Sequence, residues 1–242
     1  MSFRNGAPRL IGLRRKPAGF TLVGLLLVAI TLVVVVECVS NADIEGRVHS
    51  VVRVKTATSQ GSGFLMRARP PFDEVVITNA HVVGSEYFVQ IYSPWRDEWM
   101  HGTVLDRNPQ VDLAVIGIDA ESRGLLPKLQ LGNSDLLLPV QNLYALGIPT
   151  SPGSTKASVH YERAQYITTV TDQGVEWLHI RWPGHGKGSS GGPIIDDEGE
   201  VVGVMAAQLL ATNTHDDGLA VPSKYVVEFL DKLDILFDQS GQ

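Results

Sequence analysis

The residues best equipped for chemistry lie in Gly188-Ser189-Ser190-Gly191-Gly192-Pro193. Glycines on both sides of a serine permit tight backbone turns. They let backbone N–H groups converge beside the hydroxyl, where a developing oxyanion needs donors. Taken alone, the same letters also describe a plain Gly/Ser loop. They match a G-x-S-x-G elbow too, but an elbow sits between a strand and a helix. Here Arg181–Lys187 makes a poor strand, Pro193 opens a strand and turn, and the only downstream histidine is His215. A second segment, Thr78-Asn79-Ala80-His81-Val82-Val83, places a histidine after a strand-like run. A third, Asp112-Leu113-Ala114-Val115-Ile116, places an acid at the entry of an apolar strand. Each has an ordinary structural reading. Together they supply a base, an orienting acid and a nucleophile in the order His81, Asp112, Ser190, at spacings of 31 and 78 residues. A serine hydroxyl is a weak nucleophile and needs such a base, and a carboxylate fixes the imidazole tautomer.

The elements that must position these groups read as β-structure. Val48, Ser50, Val52, Val54 and Thr56 alternate with their neighbours. Further short strands are expected at 61–66, 74–78, 87–92, 103–105 and 113–118, punctuated by Gly, Pro, Asn and Asp. After a looser span at 119–142 the pattern resumes at 143–146, 157–170, 175–180, 201–207 and 219–221. Many short strands without intervening helices predict an all-β sandwich or barrels. Residues 121–141 read as the linker between two β halves. Only the end looks helical: after Pro222-Ser223, the residues Val226, Phe229, Leu230, Leu233 and Leu236 recur at helical spacing, predicting a helix over about 223–237.

The chain has 242 residues, 44% hydrophobic and 19% charged, long enough for a sizeable core. Residues 1–40 carry five basic residues and one acid, which leaves 41–242 at a net charge of −10. An acidic body argues against nucleic acid as a partner. The single cysteine, Cys38, excludes an internal disulfide, and no histidine spacing suits a metal, so neither metal nor cofactor is expected. Phe20–Val36 is 17 uncharged residues, preceded by all five basic ones. This predicts a cytoplasmic segment at 1–19, a transmembrane signal anchor at 20–39, and 40–242 outside. Cleavage near Ser40-Asn41-Ala42, giving a secreted protein, is the alternative.

The sequence resembles the HtrA/Deg type of trypsin-like serine protease. The matching pieces run collinearly: Gly61-Ser62-Gly63-Phe64, TNAHVV at 78–83, DLAVI at 112–116, Leu146-Gly147 with Pro149, GSSGGP at 188–193, Gly199–Gly203 and Gly218–Pro222. The resemblance implies a chymotrypsin-like double β-barrel of two six-stranded barrels, about 46–120 and 142–222, with the site in the cleft between them. It implies His81 as general base, Asp112 as orienting acid and Ser190 as nucleophile. It puts the oxyanion hole at the N–H groups of Gly188, Ser189 and Ser190. It puts the substrate pocket at Gly184, Ala207, Gln208 and Leu209, with no acid in 181–187 to pair a cationic side chain. The chain departs from the type at Ser189, where Asn is usual, and at His185-Gly186-Lys187, where an Asn-Pro stretch is usual. Only 20 residues follow Pro222, room for one helix and no PDZ domain. The expectation is a serine endopeptidase acting on polypeptides at the periplasmic side of the inner membrane, its oligomeric state open. The alternative of another class is a quiet protease-fold chaperone or scaffold.

Overall fold

The computed structural model describes residues 44–69, 72–119, 124, 126–150, 157–183, 186–208 and 216–237. The segment read as an anchor, 20–39, lies outside them. Among the described residues no helix is long and apolar enough to cross a membrane.

Strand composition sorts the chain into three apolar layers. β3 (Glu74–Thr78), β6 (Leu113–Ile118) and most of β2 (Gln60–Arg67) are buried along nearly their whole length. Alternate side chains of a strand face opposite ways, so such strands must be covered on both faces. Val76, Leu65 and Ile116 point into one barrel with Val52, Val54 and Ile91. Their neighbours Ile77, Phe64 and Val115 meet Leu146, Ile195 and Val204 from the second half in a separate layer. The second barrel has its own interior around Leu143, Ala164, Leu178, Ile180 and Ile194. By contrast β4 (Phe88–Ser93) alternates buried and exposed residues, having solvent on one side.

The first barrel closes in the order β1 (Val51–Lys55), β2, β3, β6, β5 (Glu98–Asn108), β4. The second closes as β10 (Pro193–Ile195), β11 (Val201–Gln208), β12 (Asp217–Pro222), β9 (Val175–Arg181), β8 (His160–Asp172), β7 (Asn142–Gly147). All the pairings are antiparallel. The fold is therefore the all-β double six-stranded barrel of the chymotrypsin type. The connecting span is pinned between the halves: Leu129 bridges Met66, and Leu131 bridges Val201. Ser223 secures it, its hydroxyl donating to Gly132 O at 2.8 Å and accepting from Ser134 N–H at 3.0 Å.

Several element boundaries differ from the sequence expectation. Residues 48–50 form a 3-10 turn and not strand. β5 runs 11 residues, far beyond Thr103–Leu105, because a bulge between Val104 and Asp106 bends one strand along two neighbours. The terminal helix, α2 (Ser223–Lys232), stops five residues early. Asp234 takes a left-handed φ of 54°, which turns Ile235 into the core and leaves Leu236 exposed.

The β10–β11 turn, Asp196–Glu200, yields a pH prediction. Asp196 is 9% exposed, and its Oδ1 accepts the Glu200 N–H at 2.9 Å. Burial is the main cause pushing its pKa up to about 6, and the nearby charges of Glu198 and Glu200 add to it. A raised carboxyl pKa means the folded state holds the proton more tightly. Its stabilisation is full below the unfolded value near 3.8 and is lost as pH rises through 6. Asp196→Asn keeps the acceptor oxygen without the charge. It should therefore be more stable than the parent above pH 6, by up to about 3 kcal/mol, with the gap closing by pH 4. Melting temperatures of both proteins from pH 4 to 8 check this; a gap that does not change with pH would contradict it.

Candidate active site

Two loops of the first barrel deliver a base and an acid. β3 ends at Thr78, and the buried Asn79 leads into the one-turn helix α1 (Ala80–Val83), which carries His81. Asp112 precedes β6 and adopts a left-handed φ of 54°, a conformation Asp tolerates. Asn79 holds it there, its Nδ2 donating to the Asp112 carbonyl at 2.9 Å. The Asp112 carboxylate then spans His81 twice. Oδ1 accepts the His81 backbone N–H at 3.0 Å, and Oδ2 lies 2.7 Å from Nδ1. An acceptor on Nδ1 puts the ring proton there and leaves Nε2 able to accept. The histidine side chain is 49% exposed and the carboxylate 20%, so the base faces open space with its partner behind it.

The second barrel delivers the serine. Gly191, at a φ of 87°, turns the chain directly after Ser190, and a Cβ there would lie 2.1 Å from Ser62 O. Only glycine fits. The Gly191 N–H donates to Met205 O at 2.8 Å, and the Gly192 carbonyl accepts the Met205 N–H at 2.9 Å, tying the loop to β11. The Ser190 hydroxyl donates to Ala206 O at 3.2 Å.

The loop ahead of it has two pinned peptides. The Lys187 carbonyl accepts the Thr150 N–H at 2.7 Å and the Thr150 hydroxyl at 2.8 Å. A peptide is planar and trans, so the Gly188 N–H points the opposite way, away from Thr150. The Gly188 carbonyl accepts the Ser62 hydroxyl at 2.7 Å, and the Ser189 N–H donates to Gly186 O at 3.1 Å. Of the three donors expected from sequence, Ser189 is thus committed within its own loop.

A cavity of about 170 Å³ adjoins the serine, lined by Trp182, Gly186, Lys187, Met205, Ala206 and Ala207 among others. Of the residues expected to form the substrate pocket, Ala207 lines this cavity. Gly184 and Leu209 lie outside the described residues, as do the side chain of Gln208 and all of His185. Trp182 is a lining residue that sequence reading did not find. A Cβ on Gly218 would sit 2.2 Å from its ring, so the indole lies flat on that glycine. Among the described residues no cluster of His, Cys, Asp and Glu is placed to hold a metal.

Residues 61–204, from β2 to β11, match the trypsin-like peptidase domain. The chain belongs to the trypsin-like peptidase family. Within this family its relatives are of the HtrA/Deg kind. It is 29% identical over 195 residues to the serine protease HTRA1B of Danio rerio, covering 75% of this chain and 36% of that protein. It is 29% identical over 178 residues to a probable periplasmic serine endoprotease, DegP-like, of Marinomonas, covering 73% and 36%. The chain spans about a third of the length of these relatives. Among solved structures, the active form of the Rv3671c protease from M. tuberculosis shares the fold at a TM-score of 0.65 and 23% identity, over 82% of this chain and 86% of that one. This trypsin-like peptidase carries Asn79 and Ser62 inside its motifs, at positions whose roles the motifs alone do not announce.

Proposed function

We propose that the chain is a serine endopeptidase that hydrolyses unfolded or regulatory polypeptides through His81, Asp112 and Ser190. His81 Nε2 takes the Ser190 proton as Oγ attacks the substrate carbonyl. The N–H groups of Gly188 and Ser190 hold the oxyanion. His81 returns the proton to the leaving amine, which departs and leaves an acyl-enzyme. Water then attacks the ester with His81 again as base, and Ser190 regains its proton as the acid product leaves. The observation that carries this reading is the Lys187 carbonyl held by Thr150, because it leaves the Gly188 N–H free to face the reacting carbonyl. A catalytically quiet scaffold is the second reading. It is favoured by the Ser190 hydroxyl bonding to Ala206 O, with no hydrogen bond to His81. Labelling of the full chain with a fluorophosphonate, alongside cleavage of unfolded casein, separates them: the scaffold takes no label.

The apolar run at 20–36 after a basic cluster supports an anchored protein with its catalytic domain outside the cytoplasm, as does the DegP-like relative named as periplasmic. The protein should stay in the membrane pellet through alkaline carbonate and leave it in detergent. Release by carbonate would point to a cleaved leader.

The pocket supports preference for a small or medium apolar residue before the scissile bond. Trp182, Met205, Ala206 and Ala207 give it apolar walls. An unpaired cation buried there costs several kcal/mol, whereas a methyl or isopropyl group gains about 1–3 kcal/mol. Mass spectrometry of casein fragments should show Val, Ala, Ile or Leu enriched before the cut. Enrichment of Glu or Asp would assign Lys187 to the pocket, and Lys or Arg would refute both.

A further inference from the structure

We propose that Ser62 is a positioning residue for the oxyanion hole, an inference that rests on the endopeptidase reading above. Ser62 sits in β2 of the first barrel, fully buried, 126 residues from the loop it touches. Its hydroxyl has one proton and two neighbours. Ile148 can only donate, and its N–H reaches Ser62 Oγ at 2.8 Å. The hydroxyl proton is therefore committed to the Gly188 carbonyl at 2.7 Å. That bond fixes the peptide that follows Gly188, while Thr150 fixes the one that precedes it.

Gly188 is the hinge between these two peptides. Its φ is 97°, and a Cβ would meet Ile148 O at 2.9 Å, so the position needs glycine. Glycine has many backbone states of similar energy. Without a restraint on each side, the N–H that must meet the oxyanion would swing with φ and ψ. Ser62 restrains one side, and it also receives the serine: its backbone N–H donates to Ser190 O at 2.7 Å. The Ser62 carbonyl in turn accepts the Thr78 hydroxyl at 2.7 Å, on the strand that leads to His81. One residue of the first barrel thus references both proposed hole donors, Gly188 and Ser190, to the strand that carries the base.

Ser62→Ala removes only the hydroxyl bridge and leaves the backbone clamp on Ser190. Direct loss of one oxyanion donor lowers kcat by roughly 10²–10³-fold. A donor left in place but poorly held should cost less, about 10- to 100-fold in kcat, with KM changed less than about 3-fold. A tetrahedral peptide boronate should weaken in step with kcat/KM, while a product peptide binds as before. Ser62→Thr tells positioning from packing. Thr keeps the hydroxyl but adds a methyl to a full site, so a packing role ranks Ala above Thr, and positioning ranks Thr above Ala in kcat. Should either variant be unfolded at the assay temperature, Ser62→Cys replaces it. Closest in volume and a weak donor, it should lose rate at an unchanged melting temperature. Wild-type kcat in Ser62→Ala, in Ser62→Cys where that variant replaces it, or Ala outperforming Thr, overturns the proposal. If the parent chain itself neither cleaves casein nor takes the fluorophosphonate, the endopeptidase reading has failed instead.

Discussion

Ser190→Ala should abolish casein cleavage, with a loss of about 10⁴-fold or more, while Ser189→Ala keeps activity within about 10-fold. The two serines are adjacent, yet the chain uses them differently. Ser190 is followed by Gly191 at a φ of 87°, and its hydroxyl hangs on one acceptor, Ala206 O. That single bond of 3.2 Å is weak enough for a substrate strand to displace, which frees the oxygen for His81. Ser189 works through its backbone. Its N–H donates to Gly186 O, and its carbonyl accepts the Gly192 N–H at 3.0 Å. Neither bond needs the side chain, so truncation to Ala leaves the loop in place. Rates on casein with both variants, normalised to active sites, check this. A dead Ser189→Ala beside an active Ser190→Ala would move the nucleophile by one residue and dissolve the triad.

What could be read from sequence follows a physical divide between local and distant causes. β3 and β6 were legible because a strand covered on both faces needs an apolar centre, and Val75-Val76-Ile77 and LAVIGI supply one. β5 was not, since only Met100, Gly102 and Val104 turn inward and the bulge after Val104 breaks the period. The loops around His81, Asp112 and Ser190 stood out because tight turns need Gly, Asn and Asp. What holds them did not stand out. Asn79 reads as a turn residue until its amide is seen on the Asp112 carbonyl. The direction of the Gly188 N–H is set by Thr150 and Ser62, residues far away in the chain, and no window of sequence contains both. The role of Trp182 is hidden from sequence for the same reason: its place on Gly218 follows from the pairing of β9 with β12. The resting bond of the Ser190 hydroxyl to Ala206 O is a rotamer choice, which no residue type encodes.

Asp112→Asn tests the acid with the least change of shape and should lower kcat by about 10⁴-fold near neutral pH. The carboxylate offers two acceptors, and both are used by His81: Oδ1 by its backbone N–H at 3.0 Å, Oδ2 by Nδ1 at 2.7 Å. An amide offers one oxygen and one NH₂. The backbone N–H cannot become an acceptor, so the amide oxygen must stay with it. The NH₂ then faces Nδ1 and forces Nδ1 to accept. The ring proton moves to Nε2, the nitrogen that has to take the proton of Ser190, and the base is disabled by tautomer alone. Asn79 still grips the backbone carbonyl of residue 112, so the loop should hold its course. The signature is a large loss of kcat with KM and melting temperature nearly unchanged, and with Ser190 labelled slowly by a fluorophosphonate. An Asp112→Asn protein that cleaves casein within 10-fold of the parent rate would show that the tautomer is set elsewhere, and Asp112 would be left as a loop anchor only.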